Sequence, residues 1–354
     1  MASSPLAGLA VVAAQLAACF HPRFDRPACG PGGACPDGLV CNQAGVCESP
    51  LPADGAGGEA SDGQIDDGQS SGSPCLRRWL DGTVVVAAPQ PLVNQSAAGP
   101  GERDPWISND RLRLYYAYAP IGAKNDVYLA TRTAASLPFG NGSSIVNLNT
   151  NGDDGRPALT ADEKTLVLSS NRATGTEFDI YLATRPDTTV SFPGPDTRHL
   201  TSVNTAGDQH FDPFLSADAL RLYFSSVSIR SPQTQDIYVA TRPDLGSDFA
   251  TPALVRVINS ATDADADPAV SLDERILVFT SSRTTGPGGP GGTNVWYATR
   301  PDTLHDFGAP QLVPGVNSDA NDGDPMLSAD GCELYFASTR VGGDYNLYSA
   351  QIAP

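Results

Sequence analysis

Five charged residues stand directly before a proline at the same place in a recurring unit, and are expected to crowd one face around its channel: Asp104, Arg156, Asp212, Asp267 and Asp324. Four of them close acid-rich runs: NTNGDDGRP (149–157), NTAGDQHFDP (204–213), NSATDADADP (259–268) and NSDANDGDP (317–325). Carboxylate oxygens at that density suit a hard cation such as calcium (Ca2+). Asp263, Asp265, Asp267 and Glu274 fall at positions 1, 3, 5 and 12 of a calcium-binding loop, although Pro268 stands where such a loop needs glycine. The candidate cation ligands are therefore Asp263, Asp265, Asp267, Asp322 and Asp324. Turn chemistry competes for the same residues, because Asp and Asn side chains hydrogen-bond their own backbone in tight loops. It accounts for most of these acids.

Other chemistry-bearing patterns carry less. Gly68-Gln69-Ser70-Ser71-Gly72 matches the nucleophile pattern G-x-S-x-G. That pattern requires a strand before it and a helix after it, and the surrounding Gly/Ser/Asp run offers neither. His199, His210 and His305 show no metal-ligand spacing. Hydrolysis of a glycosidic bond needs two carboxyl groups across the bond, yet Glu102, Glu163, Glu177, Glu274 and Glu333 stand on no distinctive motif.

Composition narrows the partners. Among 354 residues, 40 acids oppose 22 bases, a formal charge of −18. Nucleic acid is excluded as a partner, because neutralising phosphates needs a basic stripe. Only seven of the acids are Glu, while Gly and Pro number 35 and 30. Asp, Gly and Pro favour turns over helix surfaces, so the chain reads as turn-rich with little helix.

The first residues carry an address. LAGLAVVAAQLAA (6–18) is apolar but too short to span a bilayer, which is the pattern of a signal peptide. It ends in Leu16-Ala17-Ala18-Cys19, which resembles the lipobox of bacterial lipoproteins. That resemblance implies lipidation at Cys19 and attachment to the membrane through the lipid. Phe20, rather than Asp, after the cysteine implies the outer membrane of a Gram-negative envelope. Cys29, Cys35, Cys41 and Cys47 follow at even C-x5-C spacing. Outside the cytoplasm, that reads as two disulfides in a small module, with three connectivities open. Residues 48–74 are Gly, Ser, Asp and Pro with hardly an apolar group, a flexible tether. Cys75 and Cys332 remain as a candidate pair.

The rest of the chain repeats. Proline followed five residues later by Asp recurs at Pro105/Asp110, Pro157/Asp162, Pro213/Asp218, Pro268/Asp273 and Pro325/Asp330. An apolar run follows each Asp, such as LRLYFSS (220–226), and then a line such as DIYVATRPD (236–244). A looser segment with Val-Asn ends the unit. Each unit thus offers four short strands. Runs apolar on both faces belong to strands covered on both sides. Connections too short for helical crossovers make the sheets antiparallel. Four-stranded antiparallel sheets covered on both faces by their neighbours form a β-propeller. The repeat P-x-L-S-x-D, R-L-Y-F-S-S, D-I-Y-x-A-T-R resembles that of TolB-like propeller proteins over about residues 80–354. The namesake of that group has six blades and a separate N-terminal domain. Here five units are present and the fifth lacks its fourth strand. WLDGTVVVAAPQPLVNQS (79–96) matches TLHDFGAPQLVPGVNS (303–318) in Ala-Pro-Gln and Val-Asn. The N-terminal segment is therefore expected to supply the missing strand and close the ring.

The sequence predicts a signal peptide (1–18), a small Cys-rich module (19–47), a linker (48–74) and an all-β, five-bladed propeller (75–354). The expected function is a surface-anchored binding or scaffolding module for an envelope protein or glycan. The alternative is an enzyme like the five-bladed glycoside hydrolases, acting on envelope or environmental polysaccharide. Mass spectrometry of the mature protein is expected to find Cys19 as an acylated N-terminus. Cleavage elsewhere, or Cys19 without acyl mass, rejects the lipid anchor.

Overall fold

The structure is a computed structural model that describes Val40–Cys41, Cys47–Glu48 and residues 73–92, 101–120, 123–194, 197–228, 234–283 and 292–353. The chain divides into two compact units, Met1–Asp67 and Gly68–Pro354. In the first, Val40–Cys41 and Cys47–Glu48 pair antiparallel, with Cys41 opposite Cys47. The signal peptide, Cys19, Cys29, Cys35 and most of the linker lie outside the described residues.

The second unit is a five-bladed β-propeller of four-stranded antiparallel sheets. Blade 1 runs Glu102–Ile107, Arg113–Tyr118, Asp126–Thr131 and Ser143–Ser144. Blade 2 runs Asp154–Leu159, Thr165–Ser170, Asp179–Thr184 and Arg198–His199. Blade 3 runs Asp208–Leu215, Arg221–Ser228, Asp236–Thr241 and Ala253–Leu254. Blade 4 runs Asp265–Val270, Ile276–Ser281, Asn294–Thr299 and Gln311–Leu312. Blade 5 runs Asp322–Leu327, Glu333–Ser338 and Asn346–Gln351, and its fourth strand is Gln90–Pro91 from the N-terminal side. Each blade's first strand lies nearest the axis. The second strands are sealed between blades: Ile276–Ser281 and Glu333–Ser338 are buried at every position.

Three repeated devices explain the repeated sequence. In the turn after each first strand, a Ser or Thr hydroxyl donates to the Asp carboxylate two residues on, at 2.6 Å in all five blades. Those Asp residues, Asp110 to Asp330, are turn caps. The arginine of the ATR line donates Nε–H to the carbonyl just past that Asp, as Arg185 does to Glu163 at 2.8 Å and Arg300 to Glu274 at 2.7 Å. The same guanidinium lies over a phenylalanine seven residues ahead, Arg185 over Phe192 at 4.3 Å and Arg300 over Phe307 at 4.3 Å. The Val-Asn asparagine then completes a fourth strand only two residues long. Asn204 accepts from the Ile180 N–H at 2.8 Å and donates to its carbonyl at 2.9 Å, and Asn149, Asn259 and Asn317 do the same in blades 1, 3 and 4.

The blades are also joined by charge. Arg113 of blade 1 binds the Glu163 carboxylate in the blade 2 turn at 2.8 and 2.6 Å, and Arg221 of blade 3 binds Glu274 in the blade 4 turn at 2.6 Å. Glu333 sits under the Tyr335 hydroxyl at 2.6 Å and 3.6 Å from Arg111.

One helix departs from the all-strand expectation. Residues Pro74–Leu80 form helix α1, capped by Ser73 and opened by a proline suited to the first turn. Its Trp79 is fully buried, donates Nε1–H to the Gly331 carbonyl at 3.0 Å and meets Tyr297 edge-on. The closing segment starts inside the predicted linker (48–74) and enters as helix, bridge (Val86 to Ile352) and strand. Cys75 on α1 is disulfide-bonded to Cys332, with Cα atoms 5.1 Å apart. The bond closes a loop spanning 257 positions, which in the chain-entropy account stabilises by on the order of 5 kcal/mol. Cys75→Ser is expected to lower stability by up to about that amount in denaturant titration and to expose Cys332 to alkylation. Ready alkylation of Cys332 in the unreduced native protein overturns the pairing.

Candidate functional site

The five residues before the prolines meet on the axis. In every first strand the ladder to the second strand slips at one place: between Arg103 and Trp106, Gly155 and Ala158, Phe211 and Phe214, Ala266 and Ala269, and Gly323 and Met326. Each slip holds one bulged residue and its proline. Proline cannot donate to a ladder, so a bulge is where an inner strand accommodates it. The bulged residue takes left-handed φ: 53° at Asp104, 55° at Arg156, 54° at Asp212, 51° at Asp267 and 51° at Asp324. A residue with a side chain holds that conformation at a cost of order 1–3 kcal/mol. The bend re-aims each side chain towards the axis.

The result is a ring of four carboxylates and one guanidinium. Asp104, Asp212 and Asp267 bring oxygens within 4.8 Å of one another. Arg156 forms an ion pair with Asp212 through Nε. Asp212 also accepts from the Ser225 hydroxyl and, at 3.1 Å, from Gln235 Nε2. Backbone amides join in: the Asp104 N–H reaches Asp324 at 3.3 Å, and the Asp324 N–H lies 3.0 Å from the Thr280 hydroxyl. Next to the ring the prolines line the channel together with Trp106, Ala158, Phe214, Ala269 and Met326.

Burial sets the protonation. It pushes Asp212 up to about 7, with the Asp267 charge adding to the rise and Arg156 opposing it. Burial also lifts Asp267 to about 7, reinforced by Asp324 and Asp104. Asp104 and Asp324 are raised by the same desolvation; Arg156 and Arg103 pull Asp104 back against the push of Asp212, and the Asp104 and Asp212 charges push Asp324 further up against Arg103. Arg156 is held firmly charged by the surrounding carboxylates, which outweigh its own desolvation. The ring is thus a cluster of carboxyls that hold protons to near neutral pH.

Above the ring, blades 5, 1 and 2 leave a solvent-open crevice of about 480 Å3. Its walls carry Asn125, Asn321, Thr339, Asp344, Phe178 and Tyr345, and Arg103, Asp104 and Arg156 line its floor. Arg103 lies over the Tyr345 ring, 3.7 Å from guanidinium carbon to ring centre. Position before proline marks the axial five, but no local pattern marks this crevice, because its lining comes from eight separate segments.

The calcium-loop set is dispersed. Asp267 and Asp324 belong to the ring. Asp265 and Asp322 are fully buried and bound to Arg283 at 2.7 Å and Arg340 at 2.6 Å, as Asp154 is to Arg172 at 2.7 Å. Asp263 accepts from the Ser260 and Thr262 hydroxyls of its own turn. The bulge separates them: it turns Asp267 out of the alternation that Asp265 follows. Glu274, the twelfth position, is in the seam with Arg221. Among the described residues no glutamate joins the ring, since Glu163, Glu274 and Glu333 lie in seams or turns. Glu102, two residues before Asp104, stands where Asp154, Asp265 and Asp322 stand in their blades. It has no arginine partner there, and burial pushes it up to about 7. The same place in blade 3 holds His210, buried with Nδ1 3.7 Å from Asp179, which His199 also binds at 2.9 Å. His305 meets Asp302 on the surface.

No family model and no curated protein matches the chain. Among solved structures, one described as "Glycoside hydrolase" aligns over 78% of this chain and 95% of its own with a TM-score of 0.56 at 10% identity. A second, a BT0996 RGII complex, aligns over the same shares with a TM-score of 0.55 at 10% identity. TolB from Acinetobacter baumannii aligns over 72% of this chain and 55% of its own at 13% identity, and its TM-score of 0.41 carries no argument. At these identities the likeness shows the fold: the chain is a five-bladed β-propeller with an acidic axial ring.

The raised carboxyls give a pH signature. A carboxyl with a native pKa near 7 and an unfolded one near 4 binds its proton more tightly when folded. Stability therefore falls as pH rises from about 4 through about 7, and the loss is complete above that. Asp267→Asn keeps the shape and removes the charge. It is expected to raise Tm at pH 8 by about 2–3 °C, on the order of 1 kcal/mol, and to change it little at pH 5. An equal effect at both pH values contradicts the raised pKa.

Proposed function

We propose that this protein is an envelope-anchored binding module whose ligand site is the crevice over the axial ring. The observation that carries the reading is the ring itself. Three of its carboxylates approach within 4.8 Å, and one of them, Asp212, is held by Arg156, Ser225 and Gln235. Carboxyl pairs that cleave a glycosidic bond stand about 5–9.5 Å apart with the sugar between them. This ring gathers charge at one point, and the crevice above it has the size and the scattered polar groups of a small-ligand pocket. The lipobox cysteine, Cys19, supports tethering at the outer membrane, and the −18 charge supports a basic or cation-bearing partner over nucleic acid. Calcium held weakly by the ring, in place of the loop set, belongs to the same reading.

The likeness to a glycoside hydrolase favours a second reading, since a protonated and an ionised Asp in one site can serve as acid and base. Incubation of the full chain with arabinan, xylan and chromogenic arabinofuranosides is expected to release no sugar. Sugar release that disappears in Asp212→Asn establishes the hydrolase and removes the binding-only reading.

A further inference from the structure

Two guanidinium groups of the chain itself sit at the ring. Arg156 takes the fifth place among four carboxylates and is bound there by Asp212. Arg103 approaches from above, and its charge opposes the rise of both Asp104 and Asp324. The two differ in how they are held. Arg156 is half-buried, with its guanidinium carbon 4.8 Å from the centre of the Phe211 ring. Arg103 is exposed and makes no ion pair among the described residues, its guanidinium lying on Tyr345 at 3.7 Å. A planar cation on an aromatic face beside carboxylates is a binding arrangement in its own right, and here the chain supplies the cation on a side chain free to swing out.

Granting the crevice as the ligand site, we propose that it binds a guanidinium or ammonium head, and that Arg103 occupies that head's place in the free protein. The entering cation displaces Arg103 from Tyr345 and meets Asp104 and Asp344 of the crevice lining, with the Asp324 carboxylate behind Asp104 in the ring, 3.3 Å from its N–H. The crevice, at about 480 Å3, accepts more than the head alone. A basic peptide side chain and a small polyamine both present this chemistry. The strongly acidic chain steers either one in, so binding weakens with salt.

The experiment measures binding of N-acetyl-arginine amide to the full chain by calorimetry, with the neutral isostere N-acetyl-citrulline amide as control and spermidine as the small-amine arm. Wild type is expected to bind the arginine probe weakly and citrulline not at all. Arg103→Ala is expected to bind the arginine probe at least tenfold more tightly, because no tethered competitor remains. Asp324→Asn in that background is expected to return affinity to the wild-type level or below, with circular dichroism confirming the fold. Preference for the arginine probe assigns the head to a polypeptide, and preference for spermidine assigns it to a free amine. Equal binding by wild type and Arg103→Ala, equal binding of citrulline, or no binding at millimolar probe overturns the proposal. If Arg103→Ala instead binds a neutral oligosaccharide and no cation, the crevice remains the ligand site and only the cationic head is refuted. If it binds neither, both readings fall.

Discussion

A proline in the innermost strand of every blade is the constraint on which this molecule depends. It cannot join the ladder, so each inner strand bulges at that point. The bulge forces the preceding residue into left-handed φ, between 51° and 55° in all five blades. Five side chains are thereby turned onto one axis. Their chemistry then follows from crowding: carboxylates without enough water or counter-charge hold protons to about neutral pH, and one guanidinium is trapped among them. The backbone strain is repeated five times, and the framework around it is correspondingly over-determined.

That framework is electrostatic and amide-based as much as apolar. Buried Asp–Arg pairs lock the upper turns in blades 2, 4 and 5, and the Glu163 and Glu274 carboxylates bind arginines of the preceding blade. Charges so placed are strongly destabilising when one partner is removed, because the other is left buried and unpaired. Blades 1 and 3 break the pattern at the same place, with Glu102 and His210. The symmetry that builds the fold is therefore relaxed at the residues flanking Asp104 and Asp212, two members of the ring.

Much of the fold was legible because each device has a fixed sequence offset. Pro105 and Asp110, or Pro325 and Asp330, mark strand and turn by spacing alone, and the Ala-Pro-Gln match exposed the closing strand. The ring was legible for the same reason: position before proline is a one-dimensional feature. The cation set was misplaced because adjacency in sequence suggested convergence. Asp265 and Asp267 are two residues apart, yet a bulge sends one to Arg283 and the other to the axis. Helix α1 escaped notice because PCLRRWL is too short for a periodic signal, and its stability comes from Trp79 packing under Gly331 and Tyr297. The crevice was invisible because Asn125, Phe178, Asn321 and Tyr345 share no local pattern.

The closing strand and its disulfide have a mechanical consequence. A pull on the chain upstream of residue 73 does not reach blade 1 first. It meets Cys75, and the force passes through a covalent bond into Cys332 and the interior of blade 5. Stretching therefore loads the ring across its seam, in shear along the strands, and leaves the hydrogen bonds of Gln90–Pro91 shielded from unzipping. A propeller fastened this way keeps its first blade and its closing strand out of the line of force.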